Sequence, residues 1–350
     1  MFLDGRGRNT DNGTSTKYPD WSKGRRFFND FCFAFTSSML LGLVAVFAVP
    51  SILKVLIGSR RSSSLFTAYR RYLSTLLHSI TWFEYDCERS SRPQYRSSLY
   101  TVRRRHLKAG LASKLKGGGT VSQRDVALTQ FGFIGFSMLK PEQFGIRQMK
   151  EGDWEAYNHF WRVIGYMIGL EDRLVIMFIA TGLLQDRVYT PALENVPEYF
   201  EHMARVMLDG MWSVNPTVDI EGLLYWTRVL ADVPGYIYSE KDRMQLQKKL
   251  KTNLKGQPLD KGNFDLIKYD SSVLLCCTKD KHKTALNYAI SVVFLMRYFP
   301  YIAFFRFGIS KSMVNIFEED PTDDSSPKLN EEYYKDKGDL PWYKTLLNFL

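Results

Sequence analysis

From Phe31 to Leu53 the chain runs for 23 residues without a single charged side chain, FCFAFTSSMLLGLVAVFAVPSIL. A helix of that length would match the hydrocarbon thickness of a bilayer, and an equally apolar helix can be buried on all sides within a domain. Arg25-Arg26 and Arg60-Arg61 flank both ends, so the excess of cations on cytoplasmic loops gives no orientation. The stretch starts too late for an ordinary cleaved signal peptide, and Pro50 would kink or end a helix there. A hydrophobic helix over 31–57 is therefore expected, either as a membrane anchor or as a core helix. Residues 1–30 before it are polar and rich in Gly, Asn, Asp and Lys, and read as a flexible lead.

The rest of the chain has the balance of a folded protein, with 45% hydrophobic and 24% charged residues. Aromatics reach 15%, which suits a large core or a pocket for something flat and greasy. The net charge of +10 raises nucleic acid as a partner. The cations, however, come as scattered pairs among apolar runs, without zinc-finger spacing or an RNA-recognition motif, so no nucleic acid is expected. Anionic lipid headgroups account for the excess equally well. Four cysteines, Cys32, Cys87, Cys276 and Cys277, form neither a CxxC nor a regular framework. A reducing, intracellular compartment is the expectation.

Helical periodicity dominates the chain beyond the uncharged stretch. In 65–85, Tyr69, Tyr72, Leu73, Leu76, Ile80 and Phe83 form one apolar stripe, and Arg71, Thr75, His78 and Trp82 form a second, polar one. A basic helix spans 98–113 and ends at the Gly117-Gly118-Gly119 loop. Ser122 and Asp125 are spaced as a capping box opening a helix over 123–140. Further helices are expected over 151–169, 171–185, 195–211, 218–232 and 239–254, with a short strand at 272–277 and an aromatic helix over 284–305. The class is all-α, with a helical domain over 58–316 and an acidic linker and tail over 317–350.

Five histidines, His78, His106, His159, His202 and His282, are the candidate metal ligands or bases. No HExxH, Walker loop, GxSxG or GxGxxG is present, which removes the common zinc-protease, nucleotide and hydrolase readings. Glu155/His159 and Glu198/His202 are spaced i, i+4, whereas a di-iron carboxylate bundle uses Glu-x-x-His pairs with further glutamates.

Four blocks in order carry more information: Arg71-Tyr72-Leu73-Ser74-Thr75, then Val102-Arg103-Arg104-Arg105-His106, then Ser122-Gln123-Arg124-Asp125, then Glu155 through Gly169 containing HFWRVIGYMIG. Over roughly 38–240 the chain resembles the family that joins bacterial latex-clearing proteins to the fungal ER-bound oxygenase of mycophenolic acid synthesis, and it is similar to that family's arthropod members. The resemblance implies an all-α fold with a globin-like core that binds haem b, its iron held by His106. It implies an oxygenase that uses dioxygen on a hydrophobic, isoprenoid-type small molecule or lipid, cleaving a C=C bond. It places Arg71 and Thr75 near the iron, one helical turn apart and hence on one side. His159 and Arg162 would brace the cofactor. The latex-clearing proteins carry a Lys just before the Thr, where this chain has Ser74, so the distal position differs.

The residue types agree with those roles. A neutral imidazole is a good axial donor to haem iron, and a guanidinium can hold a carboxylate or polarise bound oxygen. The ER membrane is the expected location if 31–57 is an anchor; in soluble relatives the counterpart of 38–57 lines the substrate channel. The competing reading is a catalytically inactive, membrane-associated haem carrier or interaction protein of the same fold.

Overall fold

The computed structural model describes residues 21–59, 62, 64–84, 93–115, 117, 119–171, 182–216, 218–234 and 291–316, with the side chains of 93–96 left aside. Among them every regular element is helical, in agreement with the all-α expectation. The expected helix at 239–254, the strand at 272–277 and the tail at 317–350 lie outside the described residues.

The uncharged stretch does not form one helix. Helix α2 runs Cys32–Val46 and α3 runs Pro50–Ser59, with a break at Phe47–Val49. Proline has no N–H to give, so it sits without cost as the first residue of α3 and ends the preceding helix. A further helix, α1 (Trp21–Asp30), occupies the end of the segment read as a flexible lead. Its buried face, Trp21, Gly24, Phe27 and Phe28, has helical spacing, which the lead's overall polarity obscured. Helices α1 and α2 meet at 88°. No single described helix is long and apolar enough to cross a membrane; the bent α1–α2 pair passes on length and composition alone.

Because α2 is apolar on every side, it needs neighbours all round. It crosses α6 (Gln123–Leu139) where Gly42 meets Gly132, with backbones so close that a Cβ on Gly132 would come within 2.7 Å of Val46. Only glycine permits that approach. The α1 face packs on α7 (Asp153–Ile168), and Phe28, Phe83 and Phe160 stack in a row with centroids 3.5 and 4.2 Å apart. Aromatic density thus builds core here.

Helix α4 (Leu65–Glu84) packs its apolar stripe against α8 (Phe200–Trp212), where Gly210 lies beneath the backbone of Tyr69. Helix α5 spans Pro93–Leu115, beginning one turn earlier than its apolar pattern suggested. The Ser122–Asp125 capping box forms as expected. Helix α9 (Ile220–Leu230) covers α2 and is N-capped by Asp219. Of the expected 171–185 helix, Glu171 is not helical and the rest is described only from 182, where a helical turn widens into a π-type turn at Gln185–Tyr189. The aromatic helix expected at 284–305 is interrupted: residues 291–298 are helical, Phe299 and Pro300 are not, and α10 follows over Tyr301–Phe307. This end is fastened to the core by Tyr69, whose hydroxyl donates to the Ser312 carbonyl at 2.6 Å, and by Arg306, which pairs with Asp209 at 3.0 Å.

Candidate functional site

Six helices, α2 to α7, leave a cavity of about 240 Å³ between them. The α2–α3 break supplies an aliphatic and aromatic wall that includes Leu43, Phe47, Ile52 and Leu56. Thus the segment that could have been an anchor lines the cavity. Helix α7 contributes Trp161, Ile164 and Ile168, and α6 contributes Asp125, Gln130 and Phe133. From α4 come Arg71, Ser74, Thr75, His78 and Trp82. This is the polar stripe visible in the sequence, with its apolar counterpart turned to the core. From α5 come Val102, Arg105, His106 and Ala109, spaced i, i+3, i+4 and i+7.

The cavity therefore brings together three of the five predicted site residues: Arg71, Thr75 and His106. His159 and Arg162 are not on its wall. Arg162 is exposed and His159 half-buried, because α7 turns Trp161 and Ile164 inward and the residues beside them outward. Their expected role in bracing a cofactor has no geometric support.

Burial, and then the Arg71 cation, push the His106 imidazole down to about 4, so the ring is neutral at physiological pH. Its Nδ1 is sealed from water and has no hydrogen-bond partner, an arrangement that ordinarily costs about 1–3 kcal/mol. Arg71 is held by hydroxyls, Ser62 Oγ at 3.3 Å and Ser59 Oγ at 3.4 Å, with its guanidinium 5.7 Å from the Tyr72 ring. These partners are neutral, so its charge is left uncompensated by them. Thr75 donates its hydroxyl proton back to the Arg71 carbonyl at 3.1 Å, which leaves the oxygen as an acceptor.

A hydrogen-bonded link between Arg105 and the polar stripe of α4 was not foreseen from the sequence. Arg105 Nη1 donates to Ser74 Oγ at 2.9 Å and to His78 Nε2 at 3.2 Å. His78 Nδ1 lies 2.8 Å from Ser98 Oγ, which also accepts from Trp82 Nε1 at 2.9 Å. Burial, then the charges of Arg105 and His106, bring the His78 imidazole down to about 3. The i, i+3, i+4 spacing of Val102, Arg105 and His106 was the available signal, hidden within a run of three arginines. Across the cavity, Asp125 keeps its buried carboxylate satisfied: Ser51 Oγ donates to one oxygen at 2.6 Å, and the Ser122 N–H and hydroxyl donate to the other at 2.9 and 2.7 Å.

Among the described residues no three His, Cys, Asp or Glu side chains converge as a metal cage. A single imidazole is instead the kind of donor that a macrocycle-bound iron needs. Apolar walls and a guanidinium without an acidic partner also suit a hydrophobic ring that carries carboxylates. The donor chemistry fits haem. The volume is just under the roughly 300–1,000 Å³ of typical ligand sites, so a porphyrin could enter only with movement of wall side chains.

No family model matches this chain. Over 89 residues it is 33% identical to a rubber oxygenase of Streptomyces sp. (strain K30), a match covering 25% of this chain and 22% of that protein. The chain thus aligns with about a fifth of its curated relative. The fold is similar to the solved closed state of latex clearing protein LCP, with a TM-score of 0.46 and 18% identity, covering 79% of this chain and 76% of that one.

Proposed function

We propose that this chain is a haem-dependent oxygenase of the latex-clearing type, acting on a hydrophobic, isoprenoid-like substrate by oxidative cleavage of a C=C bond. The observation that carries the reading is His106: a neutral imidazole with an unsatisfied nitrogen, set in the wall of an apolar cavity beside Arg71. The local similarity to a rubber oxygenase supports the same chemistry.

When bound, haem would supply the binding and activation of dioxygen. His106 would hold the iron, its neutral form favoured by burial and by the neighbouring Arg71 cation. Arg71, free of an acidic partner among the described residues, would take a cofactor carboxylate or orient a polar atom of the reacting complex. Thr75, its proton already committed, would act as an acceptor. Phe47, Ile52 and Leu56 would guide an apolar chain and keep water from the reacting atoms.

The 240 Å³ volume favours a second reading, distinct from the haem carrier expected from the sequence: a carrier for a smaller apolar ligand without catalysis. The absorption spectrum of recombinant protein loaded with haem separates the two. A Soret band that disappears in His106→Ala, with the melting transition retained, is the expected result. Protein that takes up no haem at all would leave the carrier reading. Oxygen uptake with prenyl lipids then tests for turnover.

A further inference from the structure

Helix α5 has two unlike faces. The face with Val102, Arg105, His106 and Ala109 lines the cavity. At about 100° per residue, Tyr100, Leu107 and Leu111 fall together on the opposite side, with Leu115 beside them. These four are 60–80% exposed: Tyr100 68%, Leu107 69%, Leu111 60% and Leu115 80%. Single exposed apolar residues are ordinary, but a stripe running nearly the length of one helix is not. Exposed Arg103 and Lys114 border the stripe on one side, Lys108 borders it on the other, and half-buried Arg104 falls between Leu111 and Leu115. The helix contains no Asp or Glu anywhere in Pro93–Leu115.

We infer that this face of α5 docks on a bilayer rich in acidic lipid. An apolar stripe with cations on both flanks and no acidic residue is the pattern of a helix lying in the membrane interface: leucines reach the acyl boundary, and the long basic side chains extend to the headgroups. A second copy of the chain is a poor occupant. A two-fold contact through this face would set Arg103, Lys108 and Lys114 against their own copies, with no acid on the helix to relieve the repulsion. The inference does not depend on iron, although it would place the cavity one helix thickness, about 10 Å, from a store of apolar substrate.

The test is flotation of the full chain with phosphatidylcholine vesicles, with and without phosphatidylserine. Binding should require phosphatidylserine and weaken as salt is raised. Leu107→Ser with Leu111→Ser, and separately Lys108→Gln with Lys114→Gln, should each weaken it about tenfold or more without shifting the melting transition, since all four side chains are in solvent. Leu107→Trp should emit at shorter wavelength on vesicles and be quenched by brominated acyl chains. The inference is overturned if the parent ignores acidic vesicles, or if it floats equally well with both pairs substituted. An unquenched Trp in vesicle-bound protein would also overturn it, as would a parent dimer that the leucine substitutions convert to monomer. The first outcome leaves the haem reading intact, because the spectrum tests that separately.

Discussion

Arg105 Nη1 donates to His78 Nε2 across 3.2 Å, and this contact fixes the protonation of the histidine. A guanidinium has only donors, so Nε2 must present its lone pair. The neutral ring then carries its proton on Nδ1 and donates it to Ser98 Oγ at 2.8 Å. Ser98 accepts from Trp82 as well, so a buried chain of uncharged groups aims one cation along the cavity wall. His78→Leu leaves Arg105 without that acceptor and should cost about 1–3 kcal/mol, whereas His78→Gln, which keeps an acceptor, should cost much less. Urea unfolding of the two variants checks this; equal losses would mean that packing, not the acceptor, matters.

Both cavity histidines make the haem-free protein acid-sensitive. Their folded values lie below the ordinary 6.5, near 3 for His78 and near 4 for His106. Between pH 6.5 and about 4 the unfolded chain binds protons that the folded chain refuses, so stability falls as pH falls through that window, by about 1.4 kcal/mol per unit of displacement. The His78→Gln variant should show a flatter dependence of melting temperature on pH. Imidazole resonances that titrate near 6.5 in the folded protein would contradict the prediction.

The α2–α6 crossing tolerates no side chain. Gly132→Ala brings a methyl group within 2.7 Å of Val46, and Gly42→Ala drives one into the Gly132 carbonyl. Each should cost about 1–3 kcal/mol, with the Gly42 change the more severe because it meets backbone, not a side chain that can turn. Thermal unfolding of both variants is the check.

Asp125 joins two helices at the cavity edge: it completes the capping box of α6 and receives Ser51 from α3. Asp125→Ala should destabilise by about 2 kcal/mol, by loss of the cap and stranding of the Ser51 hydroxyl. Asp125→Asn keeps an acceptor and should recover part of this. Circular dichroism melts distinguish the two.

Much of the architecture was legible in the sequence. The two stripes of α4 were visible as period and polarity, and they face core and cavity as that pattern demands. The Ser122–Asp125 spacing gave the start of α6 to the residue. His106, Arg71 and Thr75 were picked from ordered blocks, and they share one cavity. Missed were α1, whose buried face is diluted by Lys23, Arg25 and Arg26, and the Phe299–Pro300 break, where a proline was passed over in an aromatic run. His159 and Arg162 lie off the cavity wall, because α7 turns Trp161 and Ile164 inward and its polar side outward.

Local order alone therefore determined the helical class, the Ser122 cap and the two stripes of α4, since all of these are set within a few turns of chain. Tertiary packing decided the rest. The uncharged run from Phe31 to Leu53 became two core helices because α6 and α9 are there to cover it, and Arg105 became a cavity residue because His78 and Ser74 on another helix receive it. Periodicity gives a helix its faces; only long-range contacts determine what each face meets.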